Sequence, residues 1–119
     1  MTKEGILISL TRPSSHINEQ AFTKWYDEKH LSDVIKSGLA DLSMRYENIR
    51  PQAEFKYLAI YRLPDMSKLD DEEFMKNLPH FPDGEEAREL GLWADGKGEG
   101  KEVKGEIKGK RGAWELIQR

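Results

Sequence analysis

The 119-residue chain contains no cysteine. That absence excludes a disulfide framework, a thiol nucleophile, a thiolate zinc site and an Fe–S cluster. Long apolar runs are missing too. No aliphatic stretch is longer than that of Ile6-Leu7-Ile8, far too short to cross a bilayer. The opening Met1-Thr2-Lys3-Glu4-Gly5 holds no signal-peptide core, so a soluble, cytoplasmic protein is expected, with no membrane partner. Basic charge is not in excess: 19 Lys and Arg face 22 Asp and Glu, a formal charge of −3. A slightly acidic chain is a poor start for a nucleic-acid binder.

What is present fits one domain over residues 1–119. The hydrophobic set is 37% and charged residues 34%, so the core is modest and an oligomer interface would usefully extend it. Ile6, Ile8 and Leu10 alternate with Leu7 and Ser9 as a first strand, closed at Pro13. Asn18 reads as a helix N-cap, with Ile17 and Phe22 as a hydrophobic staple. The helix is expected over residues 19–30. Ser32 then caps a short turn over 33–37, and Gly38 stops it.

Leu42, Met44 and Tyr46 alternate with Ser43, Arg45 and Glu47 as a one-sided second strand. Residues 55–63 form a third. Phe55, Tyr57, Ala59, Tyr61 and Leu63 share one of its faces, and Leu58 and Ile60 the other, which makes it central. Ser67 or Asp70 caps a second helix carrying Leu69, Phe74, Met75 and Leu78. Residues 85–92 suggest a further short helix. Residues 95–112 are rich in glycine, lysine and glutamate and read as a solvated excursion. Residues 113–118 close as a last strand.

The order β-α-β-β-α-β is the ferredoxin-like pattern, an α+β fold with an antiparallel sheet and helices on one face. The other sheet face is also apolar, and a second copy of the chain is its economical cover.

The run Phe22-Thr23-Lys24-Trp25-Tyr26-Asp27-Glu28-Lys29-His30-Leu31-Ser32-Asp33-Val34 resembles the EthD-like branch of the dimeric α+β barrel superfamily. There a helix carries an aromatic pair, an acidic stretch and a histidine. Trp114-Glu115-Leu116-Ile117-Gln118 is similar to the closing strand of the fungal members. The resemblance covers residues 5–65 and the final strand, not the excursion at 79–112. Ser32 stands where the family often has proline. Many fungal relatives carry two such repeats, and this chain has one. The resemblance implies a homodimeric barrel of two sheets packed face to face. It also implies a pocket between sheet and helices for an aromatic or polyketide-like molecule. Related barrels act without metals or organic cofactors as cyclases, isomerases, dehydratases or oxygenases, and others have no known activity.

His30 is the residue singled out for catalysis. At about 100° per residue from Phe22, Tyr26 falls at about 40° and His30 at about 80°, on the flank of the apolar stripe. An imidazole titrates near neutrality and both takes and gives a proton. The bland reading is a helix-end histidine serving the dipole. Asp27 and Asp33, three residues either side, are candidates to orient it. Tyr26, Tyr46, Tyr57 and Tyr61 are candidate phenolic donors to a developing enolate, against an ordinary role as core or interface aromatics. His80, between Pro79 and Phe81, is a candidate at the pocket mouth, and His16 lies in another loop. Trp25 reads as core, Trp93 as a loop anchor and Trp114 as an interface residue.

No spacing suggests a metal site. Gly96-Lys97-Gly98-Glu99-Gly100 lacks the strand, helix and G-K-[ST] of a phosphate loop. The expectation is a cofactor-independent enzyme of cyclase, isomerase or dehydratase type, acting on a small aromatic or polyketide-like molecule, possible in secondary metabolism. The competing class is a non-catalytic ligand-binding dimer with the same fold. An RNA recognition motif shares the element order. Its basic-Gly-aromatic signature is missing from Phe55-Lys56-Tyr57-Leu58-Ala59-Ile60-Tyr61.

Overall fold

Alternation in three strand segments and one long amphipathic helix dictate most of the architecture. In the computed structural model, which describes residues 3–13, 18–78 and 107–117, strand β1 is Gly5–Pro13, β2 is Leu42–Glu47, β3 is Tyr57–Leu63 and β4 is Ile107–Glu115. They form one sheet in the order β2-β3-β1-β4, with every pairing antiparallel. This is the ferredoxin-like α+β arrangement, with β3 central as expected.

Asn18 caps helix α1 (Glu19–Trp25) by accepting the Ala21 N–H at 3.1 Å. The helix does not stop near residue 30. It passes through a π-helical turn (Tyr26–His30) into α2 (Leu31–Lys36). Ser32 therefore caps nothing and lies inside the helix. Gly38 does end it, at φ +88°, a conformation that costs a residue with a Cβ. Its carbonyl accepts Lys68 Nζ at 2.8 Å.

After β3 a 3₁₀ turn (Met66–Asp70) leads into α3 (Glu72–Lys76). The caps are Asp65, accepting from Ser67 N–H, and Asp71, accepting from Phe74 N–H, rather than Ser67 and Asp70. Asp65 lies two residues before Ser67 and Asp71 one residue after Asp70; a carboxylate at either neighbouring position can reach first-turn amides, and sequence spacing does not separate them. Gly5 is needed for close approach: a Cβ there would meet the Met66 thioether and the Trp114 carbonyl.

β4 begins at residue 107, not 113, and pairs with β1 from Pro13↔Ile107 to Gly5↔Glu115. Residues 107–112 of the expected excursion are thus strand. They carry little apolar signal because β4 is an edge, where lysine and glycine are tolerated and main-chain bonds supply the pairing. Ile17, His16, His80, Trp93, the helix expected at 85–92 and the excursion at 95–106 lie outside the described residues.

The core fills the space between the helices and one sheet face. Phe22, Tyr26, Leu39 and Leu63 are the largest side chains fully buried there, with Trp25, Ala59 and Tyr61 beside them. Each large apolar side chain so buried contributes about 1.5–3 kcal/mol. The opposite face carries Ile8, Ile60 and Met44 in one cross-strand row and Leu10, Leu58 and Tyr46 in the next. Leu42, Met44, Tyr46 and Trp114 on it are 40–53% exposed. β2 therefore turns its apolar side away from the helices and its polar side, Ser43 and Arg45, toward them.

Candidate functional site

The π turn decides where His30 points. Leu31 N–H bonds to the Tyr26 carbonyl, an i→i+5 link, so this turn holds more residues than an α turn. Residues five apart then come into line. Trp25 and His30 are five apart, and their rings stack at 4.8 Å with 25° between planes. The Tyr26 ring meets His30 edge-on at 4.9 Å. His30 thus sits half-buried against the aromatic cluster, closer in than a regular helical projection places it. Single-turn π bulges of this kind often mark functional positions.

Below the helix, Tyr61 O–H donates to the Tyr26 hydroxyl at 3.4 Å, and both residues are buried. Burial, reinforced by Tyr26, drives the Tyr61 phenol far above its ordinary pKa, while Arg45 and Arg111 oppose this. Tyr61 is therefore a neutral O–H donor at any physiological pH.

Sequence pattern does not single out Arg45, because a charged position in an alternating strand ordinarily faces water. Here its side chain is only 8% exposed. Its guanidinium carbon lies 4.1 Å from the Tyr57 ring centroid, 4.7 Å from that of Tyr26 and 5.7 Å from that of Phe22. Nη1 donates to Asp27 Oδ1 at 3.1 Å. Asp27, a candidate to orient His30, thus directs one carboxylate oxygen at Arg45.

The structure brings together His30, Tyr26 and Tyr61, with Tyr57 at the margin. The Tyr57 hydroxyl donates to Glu19 Oε1 at 2.5 Å, and Lys56 also pairs with Glu19. Burial and the Glu19 bond raise the Tyr57 pKa, and Lys56 and Tyr57 together lower that of Glu19. Asp33 is half-buried one turn beyond His30. Tyr46 is not at this site: it lies on the opposite sheet face, half exposed, its hydroxyl 3.4 Å from Met44 Sδ. The apolar alternation of β2 was visible, but which face the helices cover was not. His80 lies outside the described residues.

A groove of about 370 Å³ opens elsewhere, lined by Leu10, Tyr46, Asn48, Ala53, Phe55 and Leu58 among others. Leu10, Tyr46 and Leu58 belong to the face turned away from the helices, so the sheet separates this groove from His30. Among the described residues, no group of three or more His, Cys, Asp or Glu side chains is placed to hold a metal ion, and no helix is long and apolar enough to cross a membrane.

No family model matches the chain. Over 76 residues it is 49% identical to "Core atranone cluster (CAC) protein 1" of Stachybotrys chlorohalonatus, a match covering 63% of this chain and 32% of that protein. The chain thus spans about a third of that relative's length. A solved structure described as "a putative monooxygenase" from Shewanella loihica PV-4 superposes with a TM-score of 0.58 at 13% identity, covering 100% of this chain and 99% of the other. At that identity the likeness concerns the fold alone.

Proposed function

We propose that the chain is a cofactor-independent enzyme of the EthD-like kind, working as a homodimer and moving protons on a small aromatic or polyketide-like molecule in secondary metabolism. The observation that carries this reading is the polar group set into the aromatic helix–sheet interface: His30 on Trp25, and beside it the Tyr26–Tyr61 phenol pair. His30 is the general acid/base and Tyr61 the neutral donor to a developing oxyanion. Cyclisation, isomerisation or dehydration needs no more than this. The relative named for a biosynthetic cluster supports the metabolic setting. The apolar outer sheet face supports the dimer, since a contiguous exposed apolar surface of this kind ordinarily marks an interface.

Comparative mass spectrometry tests the catalytic claim. Wild type and His30→Ala, both shown folded by circular dichroism, are incubated with the metabolite extract of a host lacking this gene. Wild type is expected to convert a metabolite to an isomer or a dehydrated product, and the variant is not. Equal conversion by both removes His30 from the mechanism. A metabolite retained through gel filtration but never converted makes the chain a non-catalytic binder.

A further inference from the structure

Arginines elsewhere in the molecule show what the Nε and Nη2 edge of a guanidinium does when it is in use. Arg62 places Nε 2.8 Å and Nη2 3.2 Å from the two carboxylate oxygens of Asp41, a side-on bidentate pair. Arg12 gives the same edge to the carbonyls of Glu54 and Ala53. In Arg45 that edge is buried, and among the described residues neither Nε nor Nη2 has a hydrogen-bond partner. Asp27 occupies only Nη1. The aromatic rings around the guanidinium offset part of the desolvation through its charge, but they accept no planar pair of hydrogen bonds.

Cross-strand pairing places Arg45, Ala59, Ser9 and Arg111 in one row over the helix-facing side of the sheet. Two small side chains stand between two guanidiniums. The row spans three strand spacings, about 14 Å, within the combined reach of two arginine side chains.

We infer that Arg45 is the anion seat of the ligand site, its side-on edge receiving a carboxylate of the substrate, with Arg111 supplying a second positive charge from β4. A planar carboxylate matches the fork in geometry and charge, and it relieves two buried, unpaired donors. The seat is closed to solvent in the ligand-free protein, so entry requires a covering side chain to turn aside. The inference rests on the reading of this interface as a ligand site and narrows its substrate class to aromatic or polyketide-like acids.

Binding of 2-naphthoate and of its neutral isostere 2-naphthamide is measured by titration calorimetry, which needs no turnover. Wild type is expected to bind the acid about tenfold or more tightly than the amide. Arg45→Lys keeps the charge but not the fork, and is expected to keep only part of the preference. Arg45→Met, with a cooperative melting transition as evidence of folding, is expected to bind the two nearly alike. Equal affinities in wild type, no binding of the acid, or a preference undiminished in Arg45→Met overturns the seat. His30→Ala retains the preference if the seat is real. Whether that variant still converts metabolites bears on the acid/base reading alone, so the two can fail separately.

Discussion

Replacing Arg45 by methionine sets two accounts of this side chain against each other. If its guanidinium were a satisfied buried ion, breaking it would cost about 3–5 kcal/mol. The geometry says otherwise. Among the described residues two buried nitrogens have no partner; each carries a desolvation penalty of about 1–3 kcal/mol, and methionine, a flexible apolar side chain, removes both while still filling the space. Against this stand the loss of the Asp27 pair, worth about 0–1 kcal/mol because Asp27 is half exposed, and the loss of the ring contacts, about 1–2 kcal/mol. The expected balance is a protein about 2 kcal/mol more stable, or a melting temperature up by about 6–12 °C. Arg62→Met is the control. Its fork is filled by a surface Asp41, so that variant should lose about 0–1 kcal/mol. The assay is urea unfolding of the three proteins at one concentration. A loss of 3 kcal/mol or more in Arg45→Met would refute the reasoning, because it would show that the guanidinium is satisfied where it lies.

Tyr46→Asp places a charge on the outer sheet face. It should weaken self-association by about a hundredfold or more while leaving the circular dichroism intact, as read by light scattering across a dilution series; a wild type that is monomeric throughout would sink the dimer. Lys56 and Tyr57 hold the Glu19 pKa below the ordinary carboxylate value of 4.5, so their contribution to stability is present above that value and lost as pH falls through the lower folded pKa. Wild type should therefore lose more stability than Glu19→Gln between neutral pH and strong acid, and parallel urea midpoints for the two would contradict the linkage. Burial raises the Tyr61 phenol above the ordinary tyrosine value of 10.0, so its contribution is present below that value and lost as pH rises above it. Ultraviolet titration should show Tyr61→Phe lacking one phenol that ionises only with alkaline unfolding. Gly38→Ala should cost about 1–2 kcal/mol in thermal melts, because φ +88° is unfavourable for alanine.

Much of the scaffold is legible in residue order. The alternation in Leu42 to Glu47 and in Tyr57 to Leu63 names two strands, Asn18 names a helix start, and Gly38 names its end. These signals are local: they depend on side-chain periodicity and on which residues tolerate a cap or a left-handed turn. Aromatic spacing likewise points to Tyr26 and His30 as neighbours. The fourth strand is legible only in its last third, because an edge strand held by backbone bonds to β1 needs little apolar patterning. The two aspartate caps shift by a residue or more from the positions expected, within the ambiguity that spacing leaves.

The site itself belongs mostly to tertiary structure. Nothing in residues 26–30 announces an i→i+5 turn, since the same residues form an α turn equally well until packing against the sheet selects the wider one. Yet that turn stacks His30 on Trp25. Nor does the sequence of β2 say which of its sides meets the helices. With Leu42, Met44 and Tyr46 on one side, local hydrophobicity favours turning that side inward. The observed sheet turns it outward, which places Tyr46 away from His30 and brings Arg45 in beneath the rings of Phe22, Tyr26 and Tyr57. Alone, the sequence determined the elements, their order and the helix that bears His30, because those follow from periodicity and caps. Only the tertiary structure decided that Arg45 is buried with one edge unpaired among the described residues, because strand register and the choice of face are set by long-range packing.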